Sequence, residues 1–159
     1  MEGGSIASKT NGDAYGVYAT GTENNINNGA ISAESELKSS YGLYLSNYNG
    51  ITTINNITIL SKTNSGEYAY GAYKYKYYTN STGRLTFNNG MLITYAPTLD
   101  NSIGVINYTI PEDKTLQTET DTNNYKYTYL YSQSSLTTVT LNANGGHLAY
   151  NKILKQTGS

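Results

Sequence analysis

The side chains of this chain that could do chemistry are few and scattered. There are 11 acidic residues, 10 basic residues and one histidine in 159 positions. Glycosidase chemistry needs two carboxylates facing each other across a substrate. Asp13 would belong to such a pair only if its equivalents in the repeats described below were acidic, and these are Ser39, Tyr68 and Asn101. Glu112, Asp113, Glu119 and Asp121 fall in an irregular stretch and read as solvated loop charges. His147 stands beside Gly145-Gly146 without a Ser/Asp partner pattern, and reads as an exposed turn residue. A polysaccharide lyase would want a basic residue beside its cation ligands, yet Arg84 is the only arginine. The absence of cysteine excludes thiol catalysis, cysteine–zinc sites and disulfides. The expectation is a chain with no catalytic residues, no metal ligands and no cofactor.

Tyrosine is the more promising binding chemistry, with 18 copies against one Phe and no Trp. Tyr18, Tyr44 and Tyr73 recur at one position of a repeated motif. An exposed aromatic column of this kind is a ligand-binding candidate on which sugar rings could stack; it is equally a ladder that ties neighbouring strands together. The ladder is the favoured reading. Tyr68–Tyr78 interleaves Lys74 and Lys76 with rings, which reads either as a polyanion-binding strip or as a protruding strand whose lysines deter edge pairing. The asparagine pairs at 27–28, 55–56 and 88–89 read as a corner ladder, since stacked amides bond one another and Asn tolerates a left-handed backbone.

What must position these residues is a repeat. Ala14-Tyr15-Gly16-Val17-Tyr18 returns as Ser40-Tyr41-Gly42-Leu43-Tyr44, as Ala69-Tyr70-Gly71-Ala72-Tyr73 and, weakly, as Ser102-Ile103-Gly104-Val105-Ile106. The asparagine pairs keep step with it. Two signatures sharing one drifting period of about 30 residues point to stacked units. Each unit divides into three short extended segments bounded by Asn-Gly and Ser/Thr turns, as in Ser5–Ser8, Ala14–Thr20 and Asn24–Asn28. The fold class expected is therefore all-β: a right-handed parallel β-helix of about four rungs with three short strands per rung. An antiparallel hairpin array is the alternative, because Asn-Gly turns also favour hairpins. Alternation along the central strand places Tyr15/Val17, Tyr41/Leu43, Tyr70/Ala72 and Ile103/Val105 inward. Pro111–Lys114 reads as a turn, and Tyr125–Tyr131 as an edge strand on the last rung.

The Tyr-Gly-aliphatic-Tyr units resemble repeats of cell-envelope proteins of Gram-positive gut bacteria. Thr138–Gly146 resembles the opening strand and glycine turn of the Listeria–Bacteroides repeat, a small β-grasp module of bacterial surface proteins, whose later half has no counterpart here. The division implied is a β-helix repeat domain over 1–132 and a partial β segment over 133–159.

Composition sets the class. Charged residues are 13% of the chain, about half the usual share, and the net charge is −1. A nucleic-acid partner needs a basic patch, and ten Lys+Arg do not make one. No apolar run approaches the roughly 18 residues that span a bilayer. The Asn/Thr/Ser/Tyr-rich, cysteine-free profile fits an extracellular or cell-wall location. Gly3–Ser8 parallels Asn28–Ala33, so the start reads as mid-repeat and the export signal is expected upstream. The function expected is that of a non-catalytic, adhesin-like spacer or presentation scaffold, with glycans or surface proteins as partners and end-to-end self-association through its first unit. Two alternatives stand beside it: a carbohydrate-binding module using the tyrosine face, and the remnant of a β-helical polysaccharide-degrading enzyme.

Overall fold

The computed structural model describes residues 3–46, 49–75 and 83–132, and the backbone of two further strands, 136–140 and 152–156. The chain is all-β. Strands β1 (Ser5–Thr10), β2 (Ala14–Ala19), β3 (Glu23–Ser35), β4 (Ser40–Leu45), β5 (Ile51–Thr63), β6 (Ala69–Lys74), β7 (Arg84–Phe87), β8 (Gly90–Tyr95) and β9 (Ser102–Ile106) alternate between two sheets. One sheet runs β2-β4-β6-β9 and is wholly parallel; the other begins β1-β3-β5-β8, also parallel. Each pass of the chain thus lays one strand on each sheet in register with the pass before. Tyr15 pairs with Tyr41 and Tyr41 with Tyr70, while Ile6, Ile31, Ile59 and Leu92 align across the other sheet.

The three short segments expected per repeat are not separate. In β3 and β5 two of them join into one 13-residue strand. The joint is a sharp bend: Asn28 and Asn56 have φ of 56° and 48°, and Gly29 has φ of 102°. Asn and Gly adopt this left-handed region at least cost, so the chain turns a corner without losing its pairing on either side. In the third pass the corner breaks the strand, and β5 pairs with β7 before the bend and with β8 after it.

Inward side chains from both sheets meet in one core built on Ile31, Leu43, Ile54, Ile59, Phe87 and Leu92. Hydroxyl residues at strand ends tie each turn to the next pass. Ser35 Oγ donates to the Gly12 carbonyl at 2.7 Å and Thr63 Oγ1 to the Lys38 carbonyl at 2.6 Å.

Beyond β8 the pairing turns antiparallel. After a single 3-10 turn (Leu99–Asn101) and β9, β10 (Tyr108–Thr109) pairs with β7. Strands β11 (Lys114–Thr120) and β12 (Lys126–Ser132) form a hairpin, and β12 lies antiparallel on β8. The expected turn is present, with the Lys114 amide donating to the Pro111 carbonyl at 3.1 Å. The expected edge strand is not an edge: β12 sits between β8 and β11, and β11 is the rim. Its alternating Tyr/Lys/Thr pattern has a core face as well as an outer one, and Thr128 is 1% exposed against Leu92. Among the described residues, antiparallel pairing is confined to this hairpin, its seam with β8, and β13 (Leu136–Thr140) with β14 (Lys152–Gln156), which form their own two-stranded sheet. The Tyr-Gly strands pair in parallel, so the hairpin array does not describe them. Most of the Thr138–Gly146 resemblance, and His147, lie outside the described residues.

Candidate functional site

Two tyrosines three residues apart on a regular strand point to opposite faces. In β2, β4 and β6 they point to the same one. Tyr15 lies 5.5 Å from Tyr18, and Tyr41 lies 5.2 Å from Tyr44, ring centre to ring centre. The glycine between them takes up the odd residue: the partnering runs Tyr15–Tyr41 then Val17–Leu43, skipping Gly16 and Gly42. A bulge-like break of this kind shifts the alternation by one. Inward positions become Ser40, Leu43 and Leu45, all 0% exposed, while Tyr41 and Tyr44 both turn out. The expectation that Tyr15, Tyr41 and Tyr70 face the core is therefore wrong, although Leu43 and Ala72 do face it. The reason is space. A methyl group on Gly16 would run into Ile31 Cγ2 and stand 2.5 Å from the Gly42 carbonyl oxygen. The two sheets are in close contact along the glycine column, and no ring fits there.

Tyr18, Tyr44 and Tyr73 lie on the outer face as expected, but they are one of two columns. Tyr18–Tyr44 and Tyr44–Tyr73 stack at 5.1 and 5.3 Å, and Tyr15–Tyr41 and Tyr41–Tyr70 at 5.1 and 5.2 Å. Touching rings are about 3.5 Å apart face to face. A 5.1 Å centre spacing therefore tilts each ring normal about 45° from the stacking direction. The columns tilt in opposite senses, which accounts for interplanar angles of 79°, 87° and 90° between them. Tyr68 stacks on Tyr70 at 5.6 Å. The result is a herringbone wall whose ring faces are largely turned on each other. Tyr18, on β2 at the edge of this sheet, is the exception, with 54% exposure. The second column could have been found from the sequence: a glycine inside a strand marks a bulge, and the aliphatic residue after it recurs in every repeat.

Packing removes water from the phenols. Burial pushes the Tyr44 and Tyr70 pKa up to about 12, with smaller contributions from neighbouring phenols. Tyr41 and Tyr15 shift up as well, chiefly by burial. A phenolate at these four positions would be poorly hydrated, so Tyr15, Tyr41, Tyr44 and Tyr70 stay neutral through ordinary pH.

The asparagines form the ladder read from the sequence except at Asn89, whose Oδ1 accepts the Gly90 amide instead. Asn55 Nδ2 donates to Asn27 Oδ1 at 2.7 Å, Asn88 Nδ2 to Asn55 Oδ1 at 2.9 Å, and Asn56 Nδ2 to Asn28 Oδ1 at 2.8 Å. Their amides are engaged along the stack.

Several titratable residues are tied into the framework, while Glu112 and Asp113 are exposed in a turn, as expected. Asp13 Oδ1 accepts the Ser39 amide at 3.1 Å, one pass on. Glu119 and Asp121 are not free loop charges. Glu119 lies on β11 and accepts Tyr129 Oη and Gln117 Nε2, both at 2.9 Å. Asp121 closes the hairpin turn by accepting the Asn123 and Tyr125 amides at 2.8 and 2.9 Å. Lys9 bonds Glu34 and Glu36 at 3.2 and 3.0 Å. Lys74 is no surface cation. It occupies the inward column of Ala19 and Leu45, is 3% exposed, and burial lowers its ammonium pKa. Both surface readings of that strip fail at Lys74, and Lys76 lies outside the described residues.

A cavity of 310 Å³ opens between β9 and the β11–β12 hairpin, bordered by Asp100, Ser102, Leu116 and Lys126. It contains one carboxylate. Among the described residues, no group of three or more His, Asp or Glu side chains could hold a metal ion, and no helix is long and apolar enough to cross a membrane. Comparison with protein-family models, with curated proteins and with solved structures gives no match.

Proposed function

We propose that the chain is a non-catalytic structural segment of an extracellular bacterial surface protein, a parallel β-helix acting as a stiff spacer or presentation scaffold at the cell wall. One observation carries the reading: identical side chains stack in register from pass to pass, and their binding groups are spent on each other. The tyrosine rings cover one another's faces, and the asparagine amides bond along the stack. Such contacts repeat with each added pass, so a longer array gains length at constant width. The resemblance of the Tyr-Gly units to repeats of Gram-positive envelope proteins supports the location.

A carbohydrate-binding module is the second reading, favoured by the uncovered ring of Tyr18. A glycan array combined with urea unfolding separates the two. The scaffold reading expects no glycan bound above background, and a Tyr44→Ala chain that is less stable. Glycan binding that disappears in Tyr44→Ala while stability is unchanged would overturn it in favour of the module.

A further inference from the structure

The two ends of the stacked sheets differ. At the C-terminal end, β12 and β11 add two strands beyond β8, whereas the other sheet stops at β9. The hairpin leans over β9, since a methyl group on Gly104 would collide with Thr128. At the opposite end no cap is present among the described residues. One edge of β1, one edge of β2 and one edge of the first half of β3 have no strand beside them. The core is open there as well. Ile6 is 38% exposed, whereas Ile31, next in its column, is 1% exposed.

The free edge of β1 has a definite hydrogen-bonding phase. The Ala30 amide donates to the Gly4 carbonyl and the Glu36 amide to the Thr10 carbonyl, both at 3.0 Å. In a parallel ladder this pattern turns the even-numbered residues toward β3. Ser5, Ala7 and Lys9 therefore present both N–H and C=O on the open edge.

We infer that this first pass is a self-pairing surface, on which a second copy of the chain docks head to head with β1 antiparallel to its partner's β1. The register follows from the phase. With Ala7 on the twofold axis, Ala7 meets Ala7 and Ser5 meets Lys9, and all of these are residues with free backbone groups. Ile6 then faces Ser8 of the other copy on the core side, which covers the exposed end of the isoleucine column. The two Lys9 side chains stand four residues apart along the strand, about 14 Å, beyond the Debye length of about 8 Å at physiological salt. Each Lys9 also keeps its bonds to Glu34 and Glu36. Head-to-tail stacking is blocked, because the hairpin makes a step of about 10 Å, two strand spacings, between the sheets at the other end. The assembly closes at two copies and does not grow into a fibre. None of this depends on the spacer role, only on the strand pairing.

The chain has no cysteine, so a single introduced thiol reports the geometry. Ala7 is exposed, and its Cα would lie about 5.5 Å from its mate in the dimer, within disulfide range. Ala7→Cys should oxidise to a covalent dimer, while Thr120→Cys, on the rim strand at the other end, should not. In sedimentation equilibrium the parent chain should rise from 17.3 kDa to twice that mass with concentration. Ala7→Pro removes the central open-edge amide and leaves the β1–β3 bonds intact, so it should remain monomeric with an unchanged far-ultraviolet spectrum. A parent chain that stays monomeric at its highest soluble concentration, species that grow past two, or equal cross-linking of both cysteine variants would each overturn the inference.

Discussion

Replacing Gly42 by alanine should be among the most damaging single-methyl changes in this protein. The added carbon would land on Ile59 Cγ2 and lie 2.7 Å from the Gly71 carbonyl oxygen. Neither neighbour can yield cheaply. Ile59 is 0% exposed and its branched side chain is stiff at χ1, while the Gly71 carbonyl belongs to the adjacent parallel strand. Relief requires the sheets to separate or β4 to shift from β6. Overpacking of this kind costs about 1–3 kcal/mol, and each ladder bond weakened by the shift adds about 0.5–1.5 kcal/mol. Alanine returns about 0.4–1 kcal/mol by restricting the unfolded chain. The net loss should be about 3 kcal/mol, read as a lower urea midpoint, with a fall in Tm of about 6–12 °C for a chain of this size. Gly66→Ala is the control, because its new methyl group meets nothing within 4 Å. It should be neutral or slightly stabilising. If Gly42→Ala unfolds within 0.5 kcal/mol of the parent chain, the glycine column is not the close approach of the sheets, and the account of the tyrosine faces fails with it.

Leu43→Ala, between Val17 and Ala72 in the inward column, should cost about 2–5 kcal/mol in urea unfolding; a loss below about 0.5 kcal/mol would mean that Leu43 does not face the core. Asn55→Ala breaks two rungs of the amide ladder at once and should cost about 1–3 kcal/mol, which a stability equal to the parent's would refute. Alkaline titration followed by phenolate absorbance should show a group of tyrosines ionising near pH 12, including Tyr44 and Tyr70. Because the folded pKa lies above the unfolded value of about 10, these phenols are protonated in both states below pH 10, where the stabilisation is complete. It is lost as pH rises from 10 to 12, where the unfolded chain ionises first. A single step near pH 10 for every tyrosine in the folded chain would refute the packed wall.

What could be read from the sequence was whatever recurs in phase. The drifting period foretold the parallel register of Tyr15, Tyr41 and Tyr70, and the asparagine pairs foretold both the corner and its left-handed backbone. Tyr18, Tyr44 and Tyr73 were rightly placed outside. The second column was missed because strict two-residue alternation was carried through Gly16, where the backbone drops one step. Lys74 was misjudged from its tyrosine neighbours along the chain. Its column neighbours Ala19 and Leu45 mark an inward position, and that information lies in the aligned repeats, not in the local pattern. The place of β12 was not legible for a different reason. Alternation shows that a strand has two faces, but nothing in Lys126–Ser132 keeps phase with the repeats, so neither its partner nor its direction could be inferred. Glu119 and Asp121 looked like loop charges for the same reason, since their bonds to Tyr129 and the hairpin turn exist only once β11 folds on β12.

Ladders of like residues have a consequence that isolated contacts lack. A ring in the middle of a column has a neighbour above and below, so Tyr44 is half-buried, while Tyr18 at the end has one neighbour and is 54% exposed. The isoleucine column shows the same gradient more steeply between Ile6 and Ile31. In a nearest-neighbour stack, stability per pass is therefore lowest at an open end and rises toward the middle. Such an end is stabilised by anything that supplies strand edges in the right phase. The hairpin does so at one end by turning antiparallel, which also stops further stacking there. At the other end β1 presents an open edge whose phase suits the antiparallel pairing proposed above. The stacking that covers each column in the middle of the molecule thus leaves it uncovered at the first pass, which is where the proposed pairing would act.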